Sequence, residues 1–339
     1  QLQKEDDFIR RYMNYLGHNE FGLNHKPWND PINYQYCNKI DYWLVRLNDS
    51  DIDIHAKAVG LDEDYIDKPE VIWSLEEFEK DQLLGKLENK KIDTYDDILD
   101  FVNKGDFEGL ESLFDVATMQ YDNARHEIKL EGGNYLVEDL RTAQKECLYD
   151  LSNFLRKHIT VPSSKRMMGE IYTVYGVAGS GNLGIGTLVT PMFLADAMEL
   201  TEIARNKIVV LAFLTSVYVK QEMSVVTVLC GTGHATGSSS AAVTAYVKKG
   251  NSDQIKRAIN LYLSSAMGYV CDGAKMSCTY KVSFAAMNGM IAGKMVIDDN
   301  SYCEGTGLNK DDVDTTIKNL GKLNNDILNS ANKGIIELI

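Results

Sequence analysis

The chain has 339 residues, enough to bury a sizeable core and to divide into two domains. Its 49 acidic and 35 basic residues leave a net charge of -14, which repels nucleic-acid phosphates and anionic lipid, so neither nucleic acid nor membrane is expected as a partner. The longest apolar run, around Val209-Val210-Leu211-Ala212-Phe213-Leu214, is too short to span a bilayer and no basic-then-apolar leader opens the chain, so a cytoplasmic location is expected.

Residues 1–90 form a first region, aromatic and charged, that holds Trp28, Trp43 and Trp73. Alternation in Tyr42-Trp-Leu-Val-Arg-Leu-Asn48 predicts a strand there, and Ser74-Leu-Glu-Glu reads as a helix capping box. This region is expected to be a smaller mixed α/β or α+β unit. Thr94-Tyr-Asp-Asp-Ile-Leu-Asp-Phe-Val then places an N-cap ahead of an apolar stripe. After Pro162 the composition turns to Gly, Ala, Ser, Met and Val, with small residues at helical spacing. Helices are predicted over roughly 187–204, 206–228, 236–249, 252–268, 278–295, 311–321 and 324–337, with a stop and a new N-cap at Lys248-Lys-Gly-Asn-Ser-Asp. The expected architecture is mainly α: a helical C-terminal domain over 91–339 with the smaller region closing over it.

Between a strand-like Glu170-Ile-Tyr-Thr-Val-Tyr175 and a predicted helix lies Gly179-Ser-Gly-Asn-Leu-Gly184. Three readings are open. GxGxxG can hold a dinucleotide, but no strand ending in an acidic residue follows at the right distance. The glycines can serve close packing alone. Or the backbone N–H groups of Gly181 and its neighbours, with the Ser180 hydroxyl and the Asn182 amide, can form a nest for a substrate carboxylate.

Cys230, in a Cys-Gly-Thr-Gly turn, and Cys271-Asp-Gly-Ala-Lys-Met-Ser-Cys278 offer three thiols from the glycine-rich half. Three thiolates on a four-iron cluster leave one iron open to a substrate atom, as a Lewis-acid lyase requires. The competing readings are buried free thiols, or a zinc site closed by His234. No Cys-x2-Cys pair of the usual zinc kind exists. Cys37 and Cys147 read as buried small hydrophobes, and Cys303 sits in a loop from which it could reach the triad. Asp272 reads as a turn cap.

These motifs, with Lys281-Val and Ile317-Lys-Asn-Leu-Gly-Lys-Leu, resemble from about Ile92 onward the alpha region of iron-sulfur L-serine dehydratases, and more closely the L-cysteine desulfidase branch. The resemblance implies an oxygen-sensitive 4Fe-4S cluster on Cys230, Cys271 and Cys278, no pyridoxal phosphate, and elimination of hydrogen sulfide from L-cysteine or water from L-serine. The product would be an aminoacrylate, which gives pyruvate and ammonia. Where the family has Leu-Gly-Cys-Thr-Glu-Pro, this chain has Leu16-Gly17-His18-Asn19-Glu20-Phe21. His18 is therefore a candidate base or exchangeable cluster ligand, beside the bland reading of an exposed histidine. Residues 25–90 and Asn329-Ser-Ala-Asn also depart from the family pattern.

His234 and Lys275 complete the expected catalytic set, His234 against a capping or packing role and Lys275 against an ordinary ion pair. The alternative function is a divergent member that acts on another β-substituted amino acid or serves as a non-catalytic, cluster-bearing partner subunit. A homodimer is compatible with the small-residue helix surfaces.

Overall fold

The computed structural model describes residues 92–130, 148–168, 174–223, 227–301, 305–331 and 335. The expected strand at 42–48, the capping box at Ser74 and most of the strand-like 170–175 segment lie outside them, as do His18, Cys37, Cys147 and Cys303.

The described residues form helices and no strands, so the protein is mainly α. In chain order these are α1 (Tyr95–Lys104), α2 (Glu111–Leu130), α3 (Leu148–Met168), α4 (Gly181–Ala197), α5 (Glu202–Met223), α6 (Gly231–Val247), α7 (Ser252–Ala266), α8 (Ser277–Asp298) and α9 (Val313–Lys322). A π-helical turn, Leu323–Ile327, and a 3-10 turn, Asn329–Ala331, follow. None of the described helices is long and apolar enough to cross a membrane.

α1 forms as its sequence predicts. Thr94 and Asp97 close a capping box, Gly105 ends the helix at φ 70°, and Tyr95, Ile98, Leu99 and Val102 are buried as one stripe. Lys248 and Asn251 likewise stop α6 and cap α7 where the sequence places them.

The core is different in kind. α4 and α6 are buried on every side, α6 almost entirely through Gly, Ala, Ser and Thr, so they carry no amphipathic stripe. α6 lies at the centre, packed by α5, α7 and α8. Small residues set that packing. A methyl on Gly289 of α8 would come within 2.2 Å of the Gly237 carbonyl oxygen, and one on Gly293 within 2.7 Å of the Ala241 carbonyl oxygen. On the other flank the Tyr262 ring of α7 lies on Gly237, and its hydroxyl donates to the Gly233 carbonyl at 2.7 Å.

α4 and α6 begin at Gly181 and Gly231, earlier than the predicted 187 and 236. Glycine's poor helix propensity suggests loops there, but tertiary packing overrides it. The glycines read as loop form the first helical turns, capped by Ser180 and Cys230.

Candidate active site

Three helices begin toward one place. The first turns of α4 and α6 are joined by the hydroxyls of Ser180 and Thr232, 3.0 Å apart. An isolated antiparallel bridge between Leu229 and Val270 sets the start of α6 beside the segment that leads into α8. The bridge is closed by the Cys230 N–H on the Tyr269 carbonyl (2.6 Å) and the Cys271 N–H on the Val228 carbonyl (2.7 Å), so two of the three cysteines are neighbours by backbone pairing. Cys278 follows in the first turn of α8. Unpaired N–H groups give each helix start a partial positive charge, which favours thiolates and anionic ligands.

All three thiols are free. Cys230 caps α6, its Sγ accepting from the Gly233 N–H at 3.4 Å. Burial pushes the Cys230 thiol up to about 12, and Cys271 and Cys278 add to the shift. Burial raises Cys278 as well, while its Sγ donates to the Gly273 carbonyl at 3.3 Å. Such thiols stay protonated until a cation compensates the charge they develop. Among the described residues no three His, Cys, Asp or Glu side chains are gathered closely enough for a single ion. Three thiolates are a donor set that a multi-iron cluster can take, one on each of three irons.

His234, fully buried one turn into α6, directs Nδ1 to the Cys230 carbonyl at 2.8 Å. Its Nε2 is buried without a closed hydrogen bond, on the side where the Ala266 and Met267 carbonyls end α7. Burial lowers its pKa to about 4 against the pull of those carbonyls, so the ring is neutral near neutral pH. The Nδ1 contact holds the ring against the Cys230 backbone and leaves Nε2 as the unpaired nitrogen.

Lys275 lies on the loop between Cys271 and Cys278, ion-paired with Asp272. Lys281, one turn into α8, pairs with the same carboxylate and also donates to the Val270 carbonyl at 2.9 Å. Burial would raise Asp272, but the two lysines outweigh it and hold the carboxyl below its usual range. Asp272 thus clamps the loop to α8 through the two lysines; no turn-capping hydrogen bond from its side chain is seen among the described residues.

The Gly179 loop is a tight turn. Val177 and Ser180 exchange both backbone hydrogen bonds at 3.1 Å, across Ala178 and Gly179 at φ 44° and 82°. The Ser180 hydroxyl caps α4 by accepting from the Leu183 N–H at 3.2 Å. Gly184 serves packing, since a methyl there would lie 1.7 Å from the Tyr175 carbonyl oxygen. The described residues around this loop contain no strand.

Sequence reasoning missed four residues of this region. Arg166, near the end of α3, donates to the Asn182 Oδ1 at 3.5 Å and lies so close to Gly181 that a methyl there would meet its Nε at 2.5 Å. Lys220, 6% exposed, brings its Nζ against Gly231, where a methyl would lie 2.6 Å away. Burial pulls its pKa down to about 8, and Cys230 and Cys271 oppose that pull. Thr232 makes the hydroxyl junction to Ser180. Asn324, in the π-helical turn, accepts from the Leu229 N–H at 3.0 Å and donates to the Met223 carbonyl at 2.8 Å, bracing the segment that leads to Cys230. Only Lys220 left a mark in the sequence, as a lone charge following an apolar run.

The serine dehydratase alpha chain family matches residues 67–337. The chain belongs to this family. A UPF0597 protein of Fervidobacterium nodosum is 31% identical over 224 residues, 66% of this chain and 51% of that protein. One of Thermosipho africanus is 30% identical over 244 residues, 71% of this chain and 56% of that protein. One of Bacteroides thetaiotaomicron is 26% identical over 244 residues, 71% and 57% of the two chains. The chain therefore spans about half the length of the curated relatives it matches. No solved structure matches. The family match places the glycine turn, Cys230 and the Cys271–Cys278 loop inside the serine dehydratase alpha region.

Proposed function

We propose that this chain carries the catalytic centre of an iron-sulfur lyase that eliminates hydrogen sulfide from L-cysteine or water from L-serine. The observation that carries the proposal is the convergence of three free thiols with the starts of α4, α6 and α8, in a chain of the serine dehydratase alpha family. Cys230, Cys271 and Cys278 would hold a 4Fe-4S cluster, which supplies an electron-poor iron to draw charge from the leaving β-substituent.

The chain's own residues do the rest. Ser180, Gly181 and Asn182, at the positive end of α4 and beside Arg166, bind the substrate carboxylate and fix its α-carbon near the thiols. Their hydrogen bonds stabilise the negative charge that develops as the α-proton leaves. Lys275, held by Asp272 on the loop between two thiols, supplies positive charge to the same space. The proton needs a base, and His18 is the candidate. His234 acts by holding the Cys230 backbone, a role its Nδ1 contact supports better than direct proton transfer. The aminoacrylate released from the site hydrolyses to pyruvate and ammonia. Residues 91–339 form the helical catalytic domain in this reading, and 1–90 the unit that closes over it.

A second reading has a specific observation behind it. Where the family has a cysteine this chain has His18, and residues 25–90 depart from the family pattern, so it would act on another β-substituted amino acid or serve as a cluster-bearing partner subunit. The deciding experiment offers L-cysteine and L-serine separately to anaerobically purified protein and follows sulfide, ammonia and pyruvate. Sulfide with stoichiometric pyruvate from cysteine supports desulfidase activity. Turnover of neither amino acid by protein that contains a cluster supports the second reading.

A further inference from the structure

Lys220 stands apart from the other cations of the region. It lies buried near the end of α5, and its Nζ reaches the first residue of α6. The positive end of a helix is an unfavourable place for an ammonium group, and burial makes it worse. The ammonium is also close enough to the thiols of Cys230 and Cys271 for negative charge on either to stabilise it. Lys275 and Lys281 differ, because both are more exposed and are engaged by the Asp272 carboxylate. Gly231 takes part in the arrangement, since any side chain there would displace the ammonium.

Charge counting gives the arrangement a purpose. A four-iron core in its usual resting state carries two positive charges, and three thiolates add three negative ones. The assembled centre thus carries one net negative charge in a buried place. One buried ammonium cancels it.

We infer that Lys220 is the built-in counter-cation of the three-thiol centre, a positioning residue that stabilises the assembled cluster from behind Gly231 without touching substrate. The inference rests on the cluster reading of Cys230, Cys271 and Cys278. Lys220 then favours retention of iron and, because reduction adds negative charge, favours the reduced state of the centre.

The test compares full-length wild-type protein with Lys220→Met and Lys220→Arg after anaerobic reconstitution with ferrous iron and sulfide. Iron release to a strong ferrous chelator and the midpoint potential of the centre are measured. Lys220→Met is expected to release iron at least tenfold faster and to shift the midpoint to lower potential, with Lys220→Arg restoring most of both. A merely structural lysine would not move the potential. Release and potential equal to wild type in Lys220→Met would overturn the inference while leaving the cluster intact. Should Lys220→Met fail to fold, Lys220→Gln carries the same comparison, with the same result overturning it. Failure of wild-type protein to assemble any cluster overturns the cluster reading itself, and this inference with it.

Discussion

Ser180 and Thr232, 52 residues apart in sequence, meet hydroxyl to hydroxyl at 3.0 Å. Ser180 caps α4 and Thr232 follows Cys230 in the first turn of α6, so a single contact joins the glycine turn to the thiol centre. In the proposed reaction it keeps the carboxylate nest in register with the leaving group.

Thr232→Val removes the hydroxyl and keeps the shape. The loss of one hydrogen bond should lower stability by about 1 kcal/mol and, by loosening the nest, raise KM for the amino acid several-fold. Ser180→Ala should have a larger effect, because it also removes the α4 cap at a cost of ~1 kcal/mol in stability. Steady-state kinetics beside thermal unfolding separates the two. An unchanged KM in both variants would place the substrate elsewhere.

The α6–α8 seam depends on glycine at Gly289. Gly289→Ala drives a methyl to 2.2 Å from a backbone carbonyl oxygen, which no rotamer relieves, and should destabilise the protein by roughly 2–4 kcal/mol. Gly268 has nothing within 4 Å of a built methyl, so Gly268→Ala should change stability by less than about 1 kcal/mol. Urea unfolding of the pair gives the contrast. Equal stabilities would contradict the close approach of the two helices.

His158 sets an acid limit on the fold. It is buried at 2% exposure, its Nδ1 faces the Phe154 carbonyl at 2.9 Å, and its ring packs between Tyr121 and Phe193. Burial lowers its pKa to about 4, against about 6.5 in the unfolded chain. Between these values the unfolded chain binds the extra proton. The contribution is therefore fully present above about pH 6.5 and falls away as pH drops toward 4, by roughly 3 kcal/mol in total. His158→Phe should remove about that much of the wild-type loss of stability between pH 7 and 4, measured by urea unfolding across that range. The same pH slope in both proteins would contradict it.

Asn324 braces the approach to Cys230 from the far end of the chain. Asn324→Ala leaves the Leu229 N–H buried without its acceptor and should cost about 1–3 kcal/mol. Reconstituted iron should fall with it, because the Cys230 segment loses its anchor. Iron content at full occupancy alongside lowered stability would confine Asn324 to the fold.

The sequence made the helical class, the α1 and α7 caps and the three thiols legible, because caps and cysteines announce themselves by local chemistry. The start of α6 was not legible, since Gly231-Thr-Gly-His has weak helix propensity and only the burial of His234 and the Tyr262 ring makes it helical. His234 had two roles equally open to it in the sequence, one facing the metal and one in capping or packing. Its engagement with the Cys230 carbonyl depends on the helical turn that brings residue 234 back over residue 230. Arg166, Lys220 and Asn324 reach the site from α3, α5 and the π-helical turn, elements whose approach no local pattern encodes.

The most direct test of the thiol centre is iron and sulfide analysis of the anaerobically purified protein beside Cys271→Ser. If Cys230, Cys271 and Cys278 hold a 4Fe-4S cluster, the wild-type protein carries about four irons and four sulfides per chain and a brown colour, and the variant loses them while remaining folded. Wild-type protein without iron after anaerobic reconstitution, or a Cys271→Ser variant with an undiminished cluster, would contradict it.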